Sequence, residues 1–468
     1  MQRQIPRICL LCLFIVVIGL LPTTPPAAAA GTYRSFLPIL QNRSAIVRIG
    51  VDLRSSVSSA AIPYVVPLRS SWARAGDILW SQFEPFRGAG FRWQAMPAVD
   101  ANIRRLRAIG VEPILIIQQS PAWAQSLPNS LCSPVDGTVL HEFVRFVEAV
   151  VTRYSDGPLR VDYWQIWNEV DYNPKQVKAD AGVGCWANDI PPYYGGDYYG
   201  LVLQQVAPAI RSANPHAVIL AAGFAHFWPD ETVTRGFLRG MLKQGAGSSF
   251  DVLSYHAYGT WGALDRLVLK TVSMRQGLAE FGLQAKPLFA DEIGATCYDA
   301  LTCPPDFAQF QSNYAARIYG IALSLNLMGS AWYTMVSPPP GFLESQLIDE
   351  IQGQLKPRPA YTALRRSIDL LYGAAYIGPP ITSQPPQRPN TIHMLTFRKG
   401  INTLYLLWVP EARGSHIQRL TVPRWAQATC TTHLERDPVQ SVDCSDSDGD
   451  GIILVTVDGS PHYVEVSP

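Results

Sequence analysis

The chain has 468 residues, of which 47% are hydrophobic and 16% are charged. A chain of this length and apolar content can bury a sizeable core, either as one large barrel with an added module or as two or three domains. The formal net charge is +1, which is not the strongly basic balance that favours binding to nucleic acid or to an acidic surface. We therefore expect no nucleic-acid partner.

The first 30 residues have the composition of a secretory signal peptide. Arg3 and Arg7 supply a basic start, the apolar stretch ICLLCLFIVVIGLL follows, and PPAAAAG offers a cleavage site after Ala30. The apolar stretch is short for a membrane span, which favours a cleaved signal over an uncleaved anchor. The sequence therefore predicts a secreted or cell-surface protein that keeps no stable membrane span after processing. Residues 31–44 are expected to form a linker.

Six cysteines remain once the signal peptide is removed, and export permits them to form disulfides. None of their spacings matches a zinc site such as Cys-x-x-Cys. Cys297 and Cys303 are close neighbours in one predicted loop, and Cys430 and Cys444 flank a predicted hairpin. We expect structural disulfides and no metal ligands among these six, with the pairing left open: Cys132, Cys185, Cys297, Cys303, Cys430 and Cys444.

From residue 45 onwards, short aliphatic or β-branched runs alternate with longer helical patterns. Most of the runs lack a polar alternation, which indicates strands buried on both faces. Eight such units predict a (β/α)8 TIM barrel over residues 45–376. A doubly wound open sheet is the competing architecture, but the number of units and the lack of a Gly-rich first turn favour the barrel. The runs are IVRIGVD (46–52), AGDILWS (75–81), VEPILIIQ (111–118), VDYWQIW (161–167), AVILAAG (217–223), FDVLSYH (250–256), PLFADE (287–292) and GSAWYTM (329–335).

The composition changes after the eighth unit. The stretch IGPPITSQPPQRPN (377–390) is Pro-rich, and no helical period follows it. TIHMLTFRKGINTLYLLWVPE (391–411) predicts two alternating strands about a Lys-Gly turn, and GIILVTVDGSPHYVEVS (451–467) predicts another hairpin. Residues 377–468 are therefore expected to form a C-terminal all-β domain, most simply a sandwich.

Polar side chains close several of the predicted barrel strands. The fourth run ends at Asn168 and Glu169, the sixth carries His256 and Tyr258, and the seventh ends at Glu292. Because the carboxyl ends of barrel strands face the active site, Glu169 and Glu292 should lie across one mouth. Glycoside hydrolysis needs two carboxyl groups, which lie about 5–5.5 Å apart in a retaining enzyme.

The stretches that carry these residues resemble the clan A glycoside hydrolases. WQIWNE (164–169) and FADEIG (289–294) are similar to the clan's strand-four and strand-seven motifs. In that clan the acid/base Glu follows an Asn at the end of strand four, and the nucleophile Glu ends strand seven. WARAGDILWSQFEPFRG (72–88), GVEPILIIQQSPAWA (110–124) and KPRPAYTALR (356–365) are similar as well. The closest resemblance is to glycoside hydrolase family 39, the β-xylosidase and α-L-iduronidase family, which also carries a β domain.

The resemblance implies a role for each matching residue. Glu169 would be the acid/base and Glu292 the nucleophile, while Asn168 would hydrogen-bond the hydroxyl beside the anomeric carbon. Arg74 beneath Glu292, and Tyr258 donating to it, would favour the ionised form of Glu292. The negative charge of Glu292 would raise the pKa of Glu169 and keep it protonated, so that Glu169 can act first as an acid. Arg74 taken alone could equally be a surface cation.

The remaining candidates have structural alternatives. The resemblance implies that Trp332 is the apolar floor under a pyranose, and that His256 lines the sugar site. Trp80 is a further candidate for a sugar platform. Each of these side chains could instead be ordinary packing in the barrel. Asp291 is expected to point away from Glu292 by strand alternation, and to fix a loop or a helix N-terminus.

One motif lies outside the barrel. DSDGDG (446–451) has the Asp-x-Asp-x-Asp-Gly opening of a calcium loop. The complete loop has Glu at its twelfth position, where this chain has Val457, and the stretch leads into a strand instead of a helix. A solvated turn is the favoured interpretation.

Together these features predict an exported retaining glycosidase. It would hydrolyse an equatorial bond of an oligo- or polysaccharide by double displacement, without a cofactor. Three alternatives stay open: a sugar-binding barrel without turnover, a surface scaffold whose β domain is the functional part, and a transglycosidase. A carboxyl separation well beyond about 6 Å would argue against double displacement.

Overall fold

The computed structural model describes residues 48–53, 60–95, 97–226, 231–260, 266–298, 303–336, 342–381, 391–409 and 415–468. The predicted signal peptide and linker, residues 1–44, lie outside these ranges, as does most of the Pro-rich stretch 377–390.

Within the described residues, eight parallel strands close into a barrel. The first strand pairs with the second and the eighth, and the sixth pairs with the seventh, which completes the circle. The strands are aliphatic because helices cover their outer faces while their inner faces fill the barrel. The predicted (β/α)8 fold is confirmed. The strands are β1 (Arg48–Asp52), β2 (Trp72–Leu79), β3 (Glu112–Gln118), β4 (Tyr163–Asn168), β5 (Val218–Phe224), β6 (Val252–Thr260), β7 (Leu288–Tyr298) and β8 (Gly329–Trp332).

The helices between the strands bury one apolar face each. In the helix at 140–153, Phe143, Phe146, Val147 and Val150 recur at helical spacing and are fully buried. No helix in the described ranges has both the length and the apolar content needed to cross a membrane. The helices are α1 (Ile62–Val65), α2 (Trp80–Phe83), α3 (Pro97–Ala108), α4 (Leu140–Arg153), α5 (Gly196–Ala213), α6 (Thr232–Lys243), α7 (Arg266–Ala279), α8 (Phe307–Ser324) and α9 (Pro359–Leu371).

Four predicted strand ends are wrong by two residues or more. The sixth run was expected to end at residue 256, but β6 continues to Thr260, and the eighth was expected to end at residue 335, but β8 stops at Trp332. The second run was expected to extend to residue 81, but β2 stops at Leu79, and Trp80 begins α2. The seventh run was expected to end at Glu292, but β7 continues to Tyr298. It can do so because its far end pairs antiparallel with a short strand, β9 (Phe342–Leu343). A non-local partner of this kind leaves no local trace in the sequence.

The C-terminal region is all-β, as predicted. After the hairpin of β10 (Ile348–Ile351) and β11 (Gln354–Pro357) come a six-stranded and a two-stranded antiparallel sheet. The six-stranded sheet has the order β12-β13-β14-β19-β16-β17, and β15 pairs with β18. The strands are β12 (Ala375–Tyr376), β13 (His393–Lys399), β14 (Asn402–Trp408), β15 (His416–Thr421), β16 (Gln427–Thr432), β17 (Gln440–Asp443), β18 (Ile452–Val457) and β19 (His462–Ser467).

One of the two predicted hairpins is confirmed and the other is wrong. β13 and β14 pair about the expected turn. β18 and β19 lie in different sheets, because β19 is inserted between β14 and β16 while β18 pairs with β15. Their apolar side chains meet across the sandwich, where Ile453 and Val455 share one core with Val464 and Val466.

The other face of the six-stranded sheet packs on the barrel. Phe397, Leu404 and Leu406 belong to the main hydrophobic core. The hydroxyl of Tyr463 on β19 donates to the carbonyl of Ala316 on α8 at 2.7 Å. The barrel and the sandwich therefore share a buried boundary.

Candidate active site

Glu169 leaves the end of β4 with a left-handed backbone. The strand residues before it are all buried, and Glu169 follows with φ of 52°. Non-glycine residues adopt this conformation seldom, and they do so preferentially at functional sites. The backbone N–H of Glu169 donates to the carbonyl of Gly223 on β5 at 3.1 Å. The turn holds the carboxylate at the carboxyl end of the barrel, with only 9% of the residue exposed.

Arg74 lies inside β2 and is completely buried. Its Nη1 donates to Glu292 and, at 3.2 Å, to Oδ2 of Asp52 on β1. Its Nη2 donates to Oδ1 of Asn168 at 2.9 Å. A surface cation is therefore excluded. The guanidinium stabilises the carboxylate form of Glu292 and fixes the amide oxygen of Asn168.

Tyr258 approaches Glu292 from the neighbouring strand. Its hydroxyl donates to Oε2 of Glu292, the oxygen that Arg74 leaves free. Burial, and then the charge of Glu292, raise the pKa of Tyr258 well above its ordinary value. The phenol therefore keeps its proton and acts as a donor. Its ring meets that of Tyr333 edge-on at 5.9 Å.

His256 lies between the two glutamates. Its Nδ1 is 2.6 Å from Oε1 of Glu169 and 3.4 Å from Oε2 of Glu292, and its Nε2 is 3.6 Å from Oδ2 of Asp291. Burial opposes the charged imidazole, but the carboxylates of Glu292, Asp291 and Glu169 outweigh it and raise the pKa of His256 to about 10. The ring is therefore an imidazolium at neutral pH.

Asp291 belongs to this charge cluster. It is completely buried, and it lies 3.8 Å from Nη2 of Arg74. The expectation that it would fix a loop or a helix N-terminus is wrong, because a register irregularity between Ala290 and Ile293 brings it beside its neighbour Glu292. It thus lies close to the side chains of both Arg74 and His256.

Asn168 is held in place through its amide oxygen. Its oxygen accepts from Arg74 and, at 3.4 Å, from Nε2 of Gln165. Because both bonds are to the oxygen, the NH2 group remains as the donor for a substrate hydroxyl.

The two tryptophans predicted as sugar platforms are core residues in this structure. Trp80 is fully buried, stacks on Phe146 at 5.8 Å, and donates from its indole N–H to Glu84 at 3.1 Å. Trp332 is 1% exposed, and its indole N–H donates to the carbonyl of Ser345 at 2.9 Å. Trp80 therefore cannot offer a ring face to a sugar, since helix α2 turns it into the core. The ring of Trp332 is likewise buried and exposes neither face to a sugar.

Sequence reasoning missed Asp52, Gly223 and Tyr333. Asp52 closes the first predicted run and Gly223 the fifth, so the strand-end rule applied to all eight runs would have found both. Gly223 pairs with Asn168 across the sheet. It lies so close to the ring of His256 that there is no space for a Cβ atom. Tyr333 has no comparable local signal.

The described residues form three disulfides, and one of them lies next to a backbone contact of Asn168. Cys132 in the loop after β3 is bonded to Cys185 in the loop after β4. Next to it, the backbone N–H of Gly184 donates to the carbonyl of Asn168 at 2.7 Å. The bridge thus ties down the loop that supports Asn168. The other pairs are Cys297–Cys303 and Cys430–Cys444.

Two groups of side chains in the described residues have the spacing of a metal site. In the barrel, ligand atoms of Glu169, His256 and Glu292 lie within 4.8 Å of one another. A protonated imidazole cannot ligate a metal, and Arg74 already neutralises Glu292, so this group suits proton transfer better. In the β domain, oxygens of Asp446, Asp448 and Asp450 have the same spacing.

The fold is one that glycoside hydrolases use. No family model and no curated protein matches the sequence. Among solved structures, a family 39 glycoside hydrolase from Bacteroides cellulosilyticus WH2 is similar with a TM-score of 0.62 and 16% identity, over 91% of this chain and 81% of that one. Family 39 is the family that the sequence motifs resemble.

Members of two other glycoside hydrolase families share the fold. A GH30 endoxylanase from Clostridium papyrosolvens C71 has a TM-score of 0.60 and 12% identity, over 90% of this chain and 96% of that one. A GH51 alpha-L-arabinofuranosidase from Thermotoga petrophila RKU-1 has a TM-score of 0.59 and 12% identity, over 90% of this chain and 98% of that one. At these identities the similarity establishes the fold.

Proposed function

We propose that this protein is an exported retaining glycoside hydrolase that cleaves an equatorial glycosidic bond by double displacement. Glu169 is the acid/base and Glu292 the nucleophile. The catalytic domain spans residues 45–376 and the β domain residues 377–468, after a signal peptide of residues 1–30 and a linker of residues 31–44. The three disulfides support export, since such bonds persist in oxidising compartments.

The separation of the two carboxylates carries the proposal. One oxygen of Glu169 and one of Glu292 lie within 4.8 Å of each other. Retaining enzymes hold their carboxyl groups about 5–5.5 Å apart, whereas inverting enzymes hold them about 6.5–9.5 Å apart to admit a water. The spacing supports direct attack by Glu292, and it argues against a barrel that only binds sugar.

The surrounding hydrogen bonds suit the two chemical steps. In the first step, Glu169 gives its proton to the leaving oxygen while Glu292 bonds to the anomeric carbon. Arg74 and Tyr258 hold Glu292 ionised and aimed. As Glu169 becomes a carboxylate, the imidazolium of His256 at 2.6 Å stabilises its new charge. In the second step, Glu169 takes a proton from a water whose oxygen bonds to the anomeric carbon, and the bond from that carbon to Glu292 breaks and frees the sugar.

The NH2 group of Asn168 is placed to add transition-state binding. It would donate to the hydroxyl beside the anomeric carbon, a contact that strengthens as positive charge develops on the sugar ring. The substrate class is an oligo- or polysaccharide. The β domain, packed on α8 and α9, serves to cover the barrel.

The test is covalent trapping with a panel of activated 2-fluoro glycosides, followed by mass spectrometry of the digested protein. We expect a stable adduct on the peptide that contains Glu292. Glu292→Gln should give no adduct. Glu169→Gln should still be labelled by glycosides with a fluoride leaving group, because that group needs no protonation.

Turnover of the same variants provides a second measure. Glu169→Gln should lose roughly 10²–10⁴-fold in activity on substrates with poor leaving groups. An adduct on another carboxylate would overturn the assignment. A first-formed product of inverted configuration, observed by NMR, would overturn the double displacement.

A further inference from the structure

The acidic motif of the β domain forms a turn between β17 and β18. Asp446, Asp448 and Asp450 alternate there with Ser447, Gly449 and Gly451. One oxygen from each of the three carboxylates lies within 4.8 Å of the others. Three like charges at this distance repel each other unless something positive compensates them. Among the described residues, no Lys, Arg or His side chain forms an ion pair with any of the three.

Asp446 supplies a second observation. It is 97% buried, with a relative exposure of 3%. Its Oδ2 accepts from the backbone N–H groups of Trp425 at 2.8 Å and Gly451 at 3.0 Å. Its Oδ1 is buried and has no hydrogen-bond partner in the described part of the chain. The first residue of the motif is therefore not part of a solvated turn.

A buried acceptor without a partner is costly, and a buried charge is more so. One buried oxygen of the Asp446 carboxylate is thus left unsatisfied. A cation among the three aspartates would satisfy that oxygen and remove the repulsion.

We propose that Asp446, Asp448 and Asp450 bind a calcium ion that stabilises the β domain. All of the side-chain ligands are carboxylate oxygens, which suit a hard cation and not zinc or copper. The Glu at the twelfth position of a complete loop is Val457 here, so water or backbone carbonyls must complete the coordination. We therefore expect weak binding, with a Kd on the order of 10⁻⁴–10⁻³ M, as in extracellular calcium modules.

Trp425 provides a reporter for this site. It is 64% exposed, its backbone is bonded to Asp446, and its indole covers Gly449 with no space for a Cβ atom between them. A terbium ion in the calcium position would lie close enough to receive excitation energy from this ring. The site lies in the β domain and shares no residue with the glutamate pair of the barrel, so the proposal does not depend on the proposed glycosidase activity.

The experiment uses the full mature protein, first treated with a chelator and then titrated with terbium under tryptophan excitation. We expect saturable sensitised luminescence that calcium displaces. The double variant Asp448→Asn/Asp450→Asn should lose it. The control Asp437→Asn, which removes a 90% exposed carboxylate of the same domain, should keep it.

Calcium calorimetry separates binding from energy transfer. Trp425→Phe should bind calcium as the parent protein does but lose most of the sensitised signal. The proposal is overturned if the parent protein shows no saturable calcium heat up to about 10 mM, well above the expected Kd. It is equally overturned if the double variant, shown to be folded by circular dichroism, binds calcium unchanged. If the double variant does not fold, calcium calorimetry of the parent protein and of Trp425→Phe still tests the proposal.

Discussion

Nδ1 of His256 lies 2.6 Å from Oε1 of Glu169, so the imidazolium can donate a hydrogen bond to the proposed acid/base. Against the effect of burial, the carboxylates of Glu292 and Asp291, and that of Glu169 once it has given up its proton, raise the pKa of the ring to about 10. The same contact stabilises Glu169 after it has given up its proton. His256 therefore couples the charge state of the site to the stability of the barrel.

The first prediction concerns the pH dependence of stability. The pKa of His256 in the folded protein, about 10, lies above its ordinary value of 6.5. Its contribution to stability is therefore fully present below about pH 6.5 and is lost as the pH rises through about 10. Urea unfolding at several pH values should show the free energy of unfolding falling across this window. His256→Asn should flatten the fall, whereas His141→Asn, which alters a 69% exposed ring, should not.

The second prediction concerns Arg74. Arg74→Met removes a cation from a buried cluster, together with its ion pairs to Asp52 and Glu292. Breaking a buried ion pair in this way costs about 3–5 kcal/mol in the free energy of unfolding. Chemical denaturation measures the loss. Arg69→Met, at a pair that is half exposed, should change stability by only about 0–1 kcal/mol. Similar losses in the two variants would contradict the buried role of Arg74.

The third prediction concerns Gly223. A Cβ atom there would collide with the ring of His256 and would lie 3.1 Å from Oδ2 of Asp291. Gly223→Ala should cost about 1–3 kcal/mol of stability through overpacking. It should also lower kcat more than it changes KM, because the ring must shift and its contact with Glu169 changes. Gly182→Ala is the matched control, since that position has open space around it. An unchanged kcat in Gly223→Ala would show that the position of His256 does not matter.

The fourth prediction concerns the disulfides. Cys132–Cys185 closes a span of 53 residues and Cys297–Cys303 a span of 6. The chain-entropy relation gives losses of about 4 and about 2 kcal/mol when each pair is replaced by serine. Unfolding in guanidinium should show a larger loss of stability for the replacement of Cys132–Cys185 than for that of Cys297–Cys303. The first replacement should also reduce kcat, because it frees the loop that supports Asn168, and an unchanged kcat would contradict that role of the bridge.

Much of the architecture follows from local patterns. Runs such as VEPILIIQ (111–118) are apolar on both faces, and only a sheet covered on both sides buries such runs. The strand-end rule then places Glu169, His256, Tyr258 and Glu292 at one end of the barrel. The roles assigned to these four residues came from their resemblance to clan A motifs, and they stay predictions.

The sequence by itself determined the barrel, the β domain and the strands that carry the two glutamates, because hydrophobic period and strand order are properties of the chain alone. Only the tertiary structure decided which side chains meet. It turned Trp80 into the core, brought Asp291 beside Arg74, left no space for a Cβ atom at Gly223, and buried Asp446. Each of these outcomes depends on strand register or on packing between residues distant in sequence, for which no local pattern exists.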